Sequence, residues 1–114
     1  MAKRSLTFGD VRKMALALPG TEEKTSYGVP AFYVRGKMFA CQPSHKSAEP
    51  GSLVVRVDFD HRAELLDADP ATYYVKEHYE GYTSVLVRLK QIHPDALRDL
   101  LGMAHTFMSS RRAR

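Results

Sequence analysis

The chain has 114 residues, 44% of them apolar and 26% charged, with six Tyr, five Phe and no Trp. That length supports a single domain, residues 1–114, whose core closes without staples, and the apolar fraction excludes a largely disordered chain. Net charge is +4, yet Lys3, Arg4, Arg111, Arg112 and Arg114 lie at the ends, and residues 5–110 hold 12 Lys or Arg against 13 Asp or Glu. The basicity therefore belongs to ends expected to fray, residues 1–4 and 109–114, and not to the fold.

Cys41 is the single cysteine. It excludes an intramolecular disulfide framework and suits a reducing compartment, so the cytoplasm is the expected location. No apolar run reaches the ~18–20 residues of a membrane span. Asp10, Arg12 and Lys13 interrupt any secretory signal.

In chain order, the first element is a helix between about Ser5 and Leu18. Thr7 is its cap, with Asp10 as a short-armed capping-box partner and Leu6 and Val11 as a hydrophobic staple. Val11, Met14, Ala15 and Leu18 fall on one face, and Pro19-Gly20 stops the helix. Thr25-Ser26-Tyr27 suggests a short strand, ended by Gly28 and Pro30. The runs 31–34 and 38–41 flank Arg35-Gly36-Lys37, which predicts a tight hairpin with Gly where φ is positive. Residues 42–52 form a polar loop containing two Pro and one Gly, and Leu53 to Val57 alternate as a strand.

Asp60 is the expected cap of a short helix over 61–66, and Asp69-Pro70 opens another turn. Tyr73-Tyr74-Val75 and Thr83 to Leu89 predict two further strands, joined by the aromatic turn His78-Tyr79-Glu80-Gly81-Tyr82. The last helix starts near Pro94 and carries Leu97, Leu100, Leu101, Ala104 and Met108 at helical spacing. Strands in a run with helices segregated indicate an α+β fold. Its two layers would be an antiparallel sheet with helices on one face, in the order one helix, a run of strands, a short helix, two strands and a closing helix.

The sequence carries few chemical motifs. The five His are 12 to 17 positions apart, with no metal-ligand spacing, so no metal and no cofactor is expected. Cys41 lies in an apolar run and is expected to pack rather than to act as a nucleophile. The acids at 58, 60, 64, 67 and 69 do not match a calcium loop and suit a solvated helix face. No phosphate-binding glycine loop and no nucleophile elbow occurs, so no enzymatic activity is expected.

Two patterns remain. Positions 24–56 carry a local balance of +4 and positions 58–69 one of −4. A basic sheet face with Tyr27 and Tyr33 interleaved would suit phosphate contacts and base stacking, although strand cations also serve as ordinary edge protection. Residues 78–82 read either as a ligand-binding turn, with Glu80 orienting His78, or as a turn whose tyrosines cover the end of the sheet.

Leu18-Pro19-Gly20-Thr21-Glu22-Glu23, Tyr27-Gly28-Val29-Pro30-Ala31-Phe32 and Gly36-Lys37-Met38-Phe39-Ala40 resemble the MmcQ/YjbR family. Asp69-Pro70, Tyr73-Tyr74-Val75, His78-Tyr79, Gly81-Tyr82 and Val85 to Leu89 are similar to its second half, so the resemblance covers residues 6–108. It implies a two-layer α+β domain of order α-β-β-β-α-β-β-α, like secretion chaperones and frataxin, and DNA binding through a double wing of hairpins. Many members carry a Trp in the second-half turn, where this chain has Tyr79 or Tyr82.

The leading expectation is therefore a non-enzymatic DNA-binding protein. Arg35, Lys37, Arg56, Arg88 and Lys90 would contact phosphates, weakly, without sequence preference and with strong salt dependence. The alternative is a small-molecule or peptide-binding regulatory module built on His78, Tyr79 and Tyr82 around a cleft. An unpaired sheet edge also offers a route to a homodimer.

Overall fold

The computed structural model describes residues 5–110. Helix α1, Phe8–Leu16, begins at Thr7, whose side chain accepts from the Asp10 backbone while the Asp10 carboxylate accepts from the Thr7 N–H at 2.8 Å. This is the predicted capping box. It is followed by β1 (Thr21–Ser26), β2 (Val29–Val34), β3 (Lys37–Cys41) and β4 (Ser52–Arg56). Then come α2 (Phe59–Ala68), β5 (Tyr73–Tyr74), a single 3-10 turn at Glu77–Tyr79, β6 (Ser84–Arg88) and α3 (Pro94–Ser109).

The six strands form one antiparallel sheet in the order β1-β2-β3-β4-β6-β5. The α+β class and the antiparallel sheet are as expected, but four strands, not the three of the order that the family resemblance implies, precede α2. β1 runs from Thr21 rather than Thr25, and Tyr27 belongs to the turn after it. The missing signal is physical. β1 is a polar edge strand, largely exposed, so it carries no apolar alternation. The cap of α2 is likewise Asp58, not Asp60: its carboxylate accepts from the His61 N–H at 2.7 Å. Asp69 ends α2 and holds the next turn by accepting from the Thr72 hydroxyl.

Alternation along the strands gives the sheet two unlike faces. Phe32, Val34, Phe39, Leu53, Val55, Val85 and Val87 face the helices and form the main core with Val11, Ala15, Leu97, Leu101 and Ala104. A register shift at Phe32/Tyr33, a β-bulge, lets the consecutive residues Phe39 and Ala40 both be fully buried. Arg12 donates twice to the Glu23 carboxylate, at 2.8 and 3.0 Å, which ties α1 to β1. Leu65 and Leu66 bring α2 onto the same core.

The expected frayed ends fall largely on residues 1–4 and 111–114, outside the described residues. Ser109 instead completes α3 and Ser110 caps it. Among the described residues no helix is long and apolar enough to cross a membrane.

Candidate functional site

Among the described residues no α-helix contributes to the apolar cluster on the second face of the sheet. Its apolar residues, Val54, Leu86 and Tyr74, form a separate small cluster with Tyr79, against which Cys41, Ala48 and Val75 pack. Two irregular segments cover part of this face. The loop 42–51 is clamped from one side: the Tyr74 hydroxyl accepts from the Glu49 N–H at 2.8 Å and bonds the Ser52 hydroxyl. Arg88 donates to both Glu49 carboxylate oxygens, at 2.9 and 2.7 Å, and to the carbonyls of Pro70 and Ala71. The guanidinium also lies 4.3 Å from the centre of the Tyr74 ring. These bonds hold the Glu49 carboxyl below its ordinary pKa, first through hydrogen bonding to Arg88. The segment 80–84 is pinned from α2 by Arg62, which donates to the carbonyls of Glu80, Tyr82 and Ser84.

Between these segments lies a cleft of about 500 Å³. His45 and His78 stack inside it, with ring centres 3.8 Å apart and planes 8° from parallel. Ser47 donates its backbone N–H to His45 Nδ1 at 3.0 Å, which places the proton of the neutral ring on Nε2. Tyr79 meets both imidazoles edge-on, and Tyr82 lies 6.3 Å from His78. Tyr27 lines the cleft from the β1–β2 turn, and Cys41, Val54 and Arg56 come from the sheet. Arg56 is oriented by Thr83: Nε donates to its carbonyl at 2.9 Å and Nη2 to its hydroxyl at 2.8 Å.

Two hydroxyl and thiol groups here are set by burial. The Tyr79 hydroxyl is buried beside the His45 backbone without a hydrogen bond of good geometry, and desolvation raises its pKa. Burial pushes the Cys41 thiol up to about 11, although the Arg56 charge opposes this. Cys41 is therefore a neutral packing group. Its alkylation by iodoacetamide at pH 7 is expected to be about 100-fold slower than that of a solvent-exposed cysteine, because only the thiolate reacts. Mass spectrometry of the time course measures this, and a rate equal to that of a model thiol would contradict it.

The cleft brings together His78, Tyr79 and Tyr82, the residues of the ligand alternative. It does not bring together the five cations of the DNA expectation. Arg88 pairs with Ser52 and Arg56 with Ser84, so the two arginines lie four residues apart along β4, about 13 Å. Lys90 follows β6 beyond the Arg88 end. Arg35 and Lys37 sit at the β2–β3 turn, toward the Arg56 end. Arg88 is an internal clamp rather than an outward cation. Glu80 is not placed as the orienting partner of His78; its carbonyl serves Arg62.

Sequence reasoning missed His45 and Arg62, and it put Tyr27 on a basic sheet face rather than at the edge of the cleft. His45 lies in a polar loop 33 residues before His78, and only the proximity of that loop to the 3-10 turn pairs the rings. Among the described residues no group of three His, Cys, Asp or Glu could hold a metal ion.

A family model described as YjbR matches residues 16–107. The crystal structure of Deinococcus radiodurans protein DR2400, described as a DUF419 domain, superposes with a TM-score of 0.78. It is 21% identical, with 97% of this chain and 84% of that one covered, a likeness of fold alone. No curated protein matches the chain.

Proposed function

The chain belongs to the YjbR family, and from that premise we propose that it is a non-catalytic cytoplasmic module that binds a small planar ligand in the cleft on the open face of its sheet. The observation that carries the reading is the convergence of His45, His78, Tyr79 and Tyr82 from segments far apart in sequence around one concave space. Concave, mostly apolar sites with a few oriented polar groups are where small ligands bind. Here the apolar floor is Val54 and Cys41, and the polar groups are the imidazoles and Arg56. Family membership and fold leave the function open, so the site must carry the argument.

The test is a nitrogen-15 NMR titration with a set of planar heteroaromatic fragments at millimolar concentration. Fragments should move the amides of residues 26–28, 41–45 and 78–84 together, and His78→Ala should weaken them about tenfold. Shifts confined to other surfaces, or none, would end the proposal.

A second reading, duplex DNA binding, is favoured by one observation. Arg35 is exposed at the β2–β3 turn with φ +52, and among the described residues neither it nor Lys37 has an acidic partner. Fluorescence anisotropy of a labelled duplex, comparing the full chain with residues 5–110, separates this wing from the basic ends. A wing would leave affinity in the shorter chain, with a lower salt slope, and the Arg35→Ala/Lys37→Ala double variant would weaken it further.

A further inference from the structure

β1 leaves one edge of the sheet open. Among the described residues it pairs with β2 alone, in regular register along its whole length, and it ends the strand order on that side. The opposite edge is β5, only two residues long. Sheets blunt their edges with short strands, proline, bulges or charge, and of these β1 has charge alone.

Pro30 fixes which backbone groups of β1 face outward. It stands opposite Thr25 and has no N–H, so that pair exchanges no bonds, and alternation makes Glu22, Lys24 and Ser26 the residues bonded to β2. The Pro30 carbonyl accordingly turns to the other side and accepts from the Gln42 N–H, while the Thr21 N–H turns to the Leu18 carbonyl. The N–H and C=O groups of Glu23 and Thr25 therefore point out of the sheet.

The side chains divide by face. Glu23 points to α1, where Arg12 donates to both of its carboxylate oxygens. Glu22 and Lys24 share the other face. The Lys24 ammonium lies 3.7 Å from the Glu22 carboxylate and 5.2 Å from the centre of the Tyr33 ring, and both charged side chains are more than half exposed. A lone edge cation protects because it meets itself when a second copy docks. Here one register escapes that. In a twofold antiparallel pairing, facing residues share the same bonding state, so the longest overlaps place the axis at Glu23 or at Lys24. An axis at Lys24 sets two ammonium groups against each other. An axis at Glu23 sets Glu22 opposite Lys24 of the second copy, twice, and Thr21 opposite Thr25, twice. Each central Glu23 carboxylate is already paired with its own Arg12.

We infer that β1 is a self-association edge, on which two copies of this chain join antiparallel about a twofold axis at Glu23 and continue the sheet from one chain into the other. The occupant is a second copy because the order Glu22-Glu23-Lys24 complements itself when the second strand runs the opposite way. Glu23 exchanges a pair of backbone bonds across the axis, and each Thr25 N–H donates to the Thr21 carbonyl of the other copy. The contact is narrow, so the dimer belongs to the weak, concentration-dependent class. It does not depend on the ligand reading of the cleft.

Sedimentation equilibrium of the full chain from micromolar to millimolar concentration, with nitrogen-15 spectra over the same range, tests this. A monomer–dimer equilibrium is expected, with concentration-dependent shifts centred on the amides of 21–26 and slower exchange at Glu23 and Thr25. Glu22→Lys and Lys24→Glu each set like charges opposite one another and should each weaken the dimer about tenfold, more at low salt than at high. Both changes in one chain, Glu22→Lys/Lys24→Glu, should restore dimerisation, and so should an equimolar mixture of the two single variants. Restoration also shows that the exposed substitutions leave the fold intact. A chain that stays monomeric to millimolar concentration, or a dimer whose shifts lie outside 21–26, would overturn the proposal. A dimer indifferent to Glu22→Lys would overturn the register, as would weakening by both single variants that neither the double variant nor the mixture restores.

Discussion

Replacing Phe39 by Ala is expected to remove about 3–5 kcal/mol of stability, the usual cost of deleting a fully buried aromatic ring and leaving a cavity. Phe39 has no exposed surface and belongs to the main core between the sheet and the helices. Its ring lies 6.5 Å from that of Phe32 and takes the edge of His105 at 5.4 Å. His105 in turn donates from Nε2 to the Pro19 carbonyl at 2.6 Å, so the same ring supports the bond that fixes α3 to the end of the first helical segment. The bulge that buries both Phe39 and Ala40 leaves little freedom for β3 to collapse into the space. Domains of this size have about 5–15 kcal/mol in total, so the variant should lie near its folding threshold. Urea denaturation measures the change. A loss below about 1 kcal/mol would mean that the core relaxes around the gap far more than this packing allows.

Tyr74→Phe removes one oxygen and is expected to destabilise the domain by about 1–3 kcal/mol, because it orphans buried polar groups rather than deleting packing. The hydroxyl serves the Glu49 N–H and the hydroxyl of Ser52, which is only 4% exposed. The aromatic ring stays, so the Arg88 guanidinium keeps its platform and Glu49 keeps its bidentate partner. The effect should thus be local as well as global: amide exchange at 48–52 should quicken more than at α3. Uniform change across the chain, or none, would contradict the clamp. The same clamp has a pH signature. Arg88 depresses the Glu49 pKa, so its contribution is present above the ordinary carboxylate range and is lost as pH falls through the depressed value. Loosening of the loop should therefore appear on acidification, not on raising pH.

Local rules sufficed where one segment decides its own conformation. Thr7 and Asp10 fix the start of α1 within a single turn, and Gly36 takes the positive φ expected of it in the turn that closes the β2–β3 hairpin, although Arg35 before it is positive as well. The Leu97 to Met108 stripe likewise specifies the buried face of α3. Failures came where a residue's role depends on what lies across the sheet. Thr21 to Ser26 is a strand because β2 offers it an edge, not because of its own pattern. Strand alternation separates Arg88 from Val87 and the main core; it does not say that Glu49, 39 residues away, will fold over it. The site was half legible for the same reason. His78, Tyr79 and Tyr82 are neighbours in sequence, whereas His45, Tyr27 and Arg56 join them only through tertiary structure.

The strand order has a kinetic consequence. β1 to β4 form a meander whose first two connections are two-residue turns, so their ladders can close quickly and locally. The pairing of β4 with β6 joins Arg56 to Ser84, and the intervening chain holds α2, β5 and the 3-10 turn. Closing that loop carries an entropy cost that the meander does not. The cleft straddles this seam, with His45 and Tyr27 on the early side and His78, Tyr79 and Tyr82 on the late one. Any nascent or partially opened chain that has its meander but not β6 therefore lacks the cleft. A ligand that bridges the seam would hold the two halves of the chain together and slow their separation.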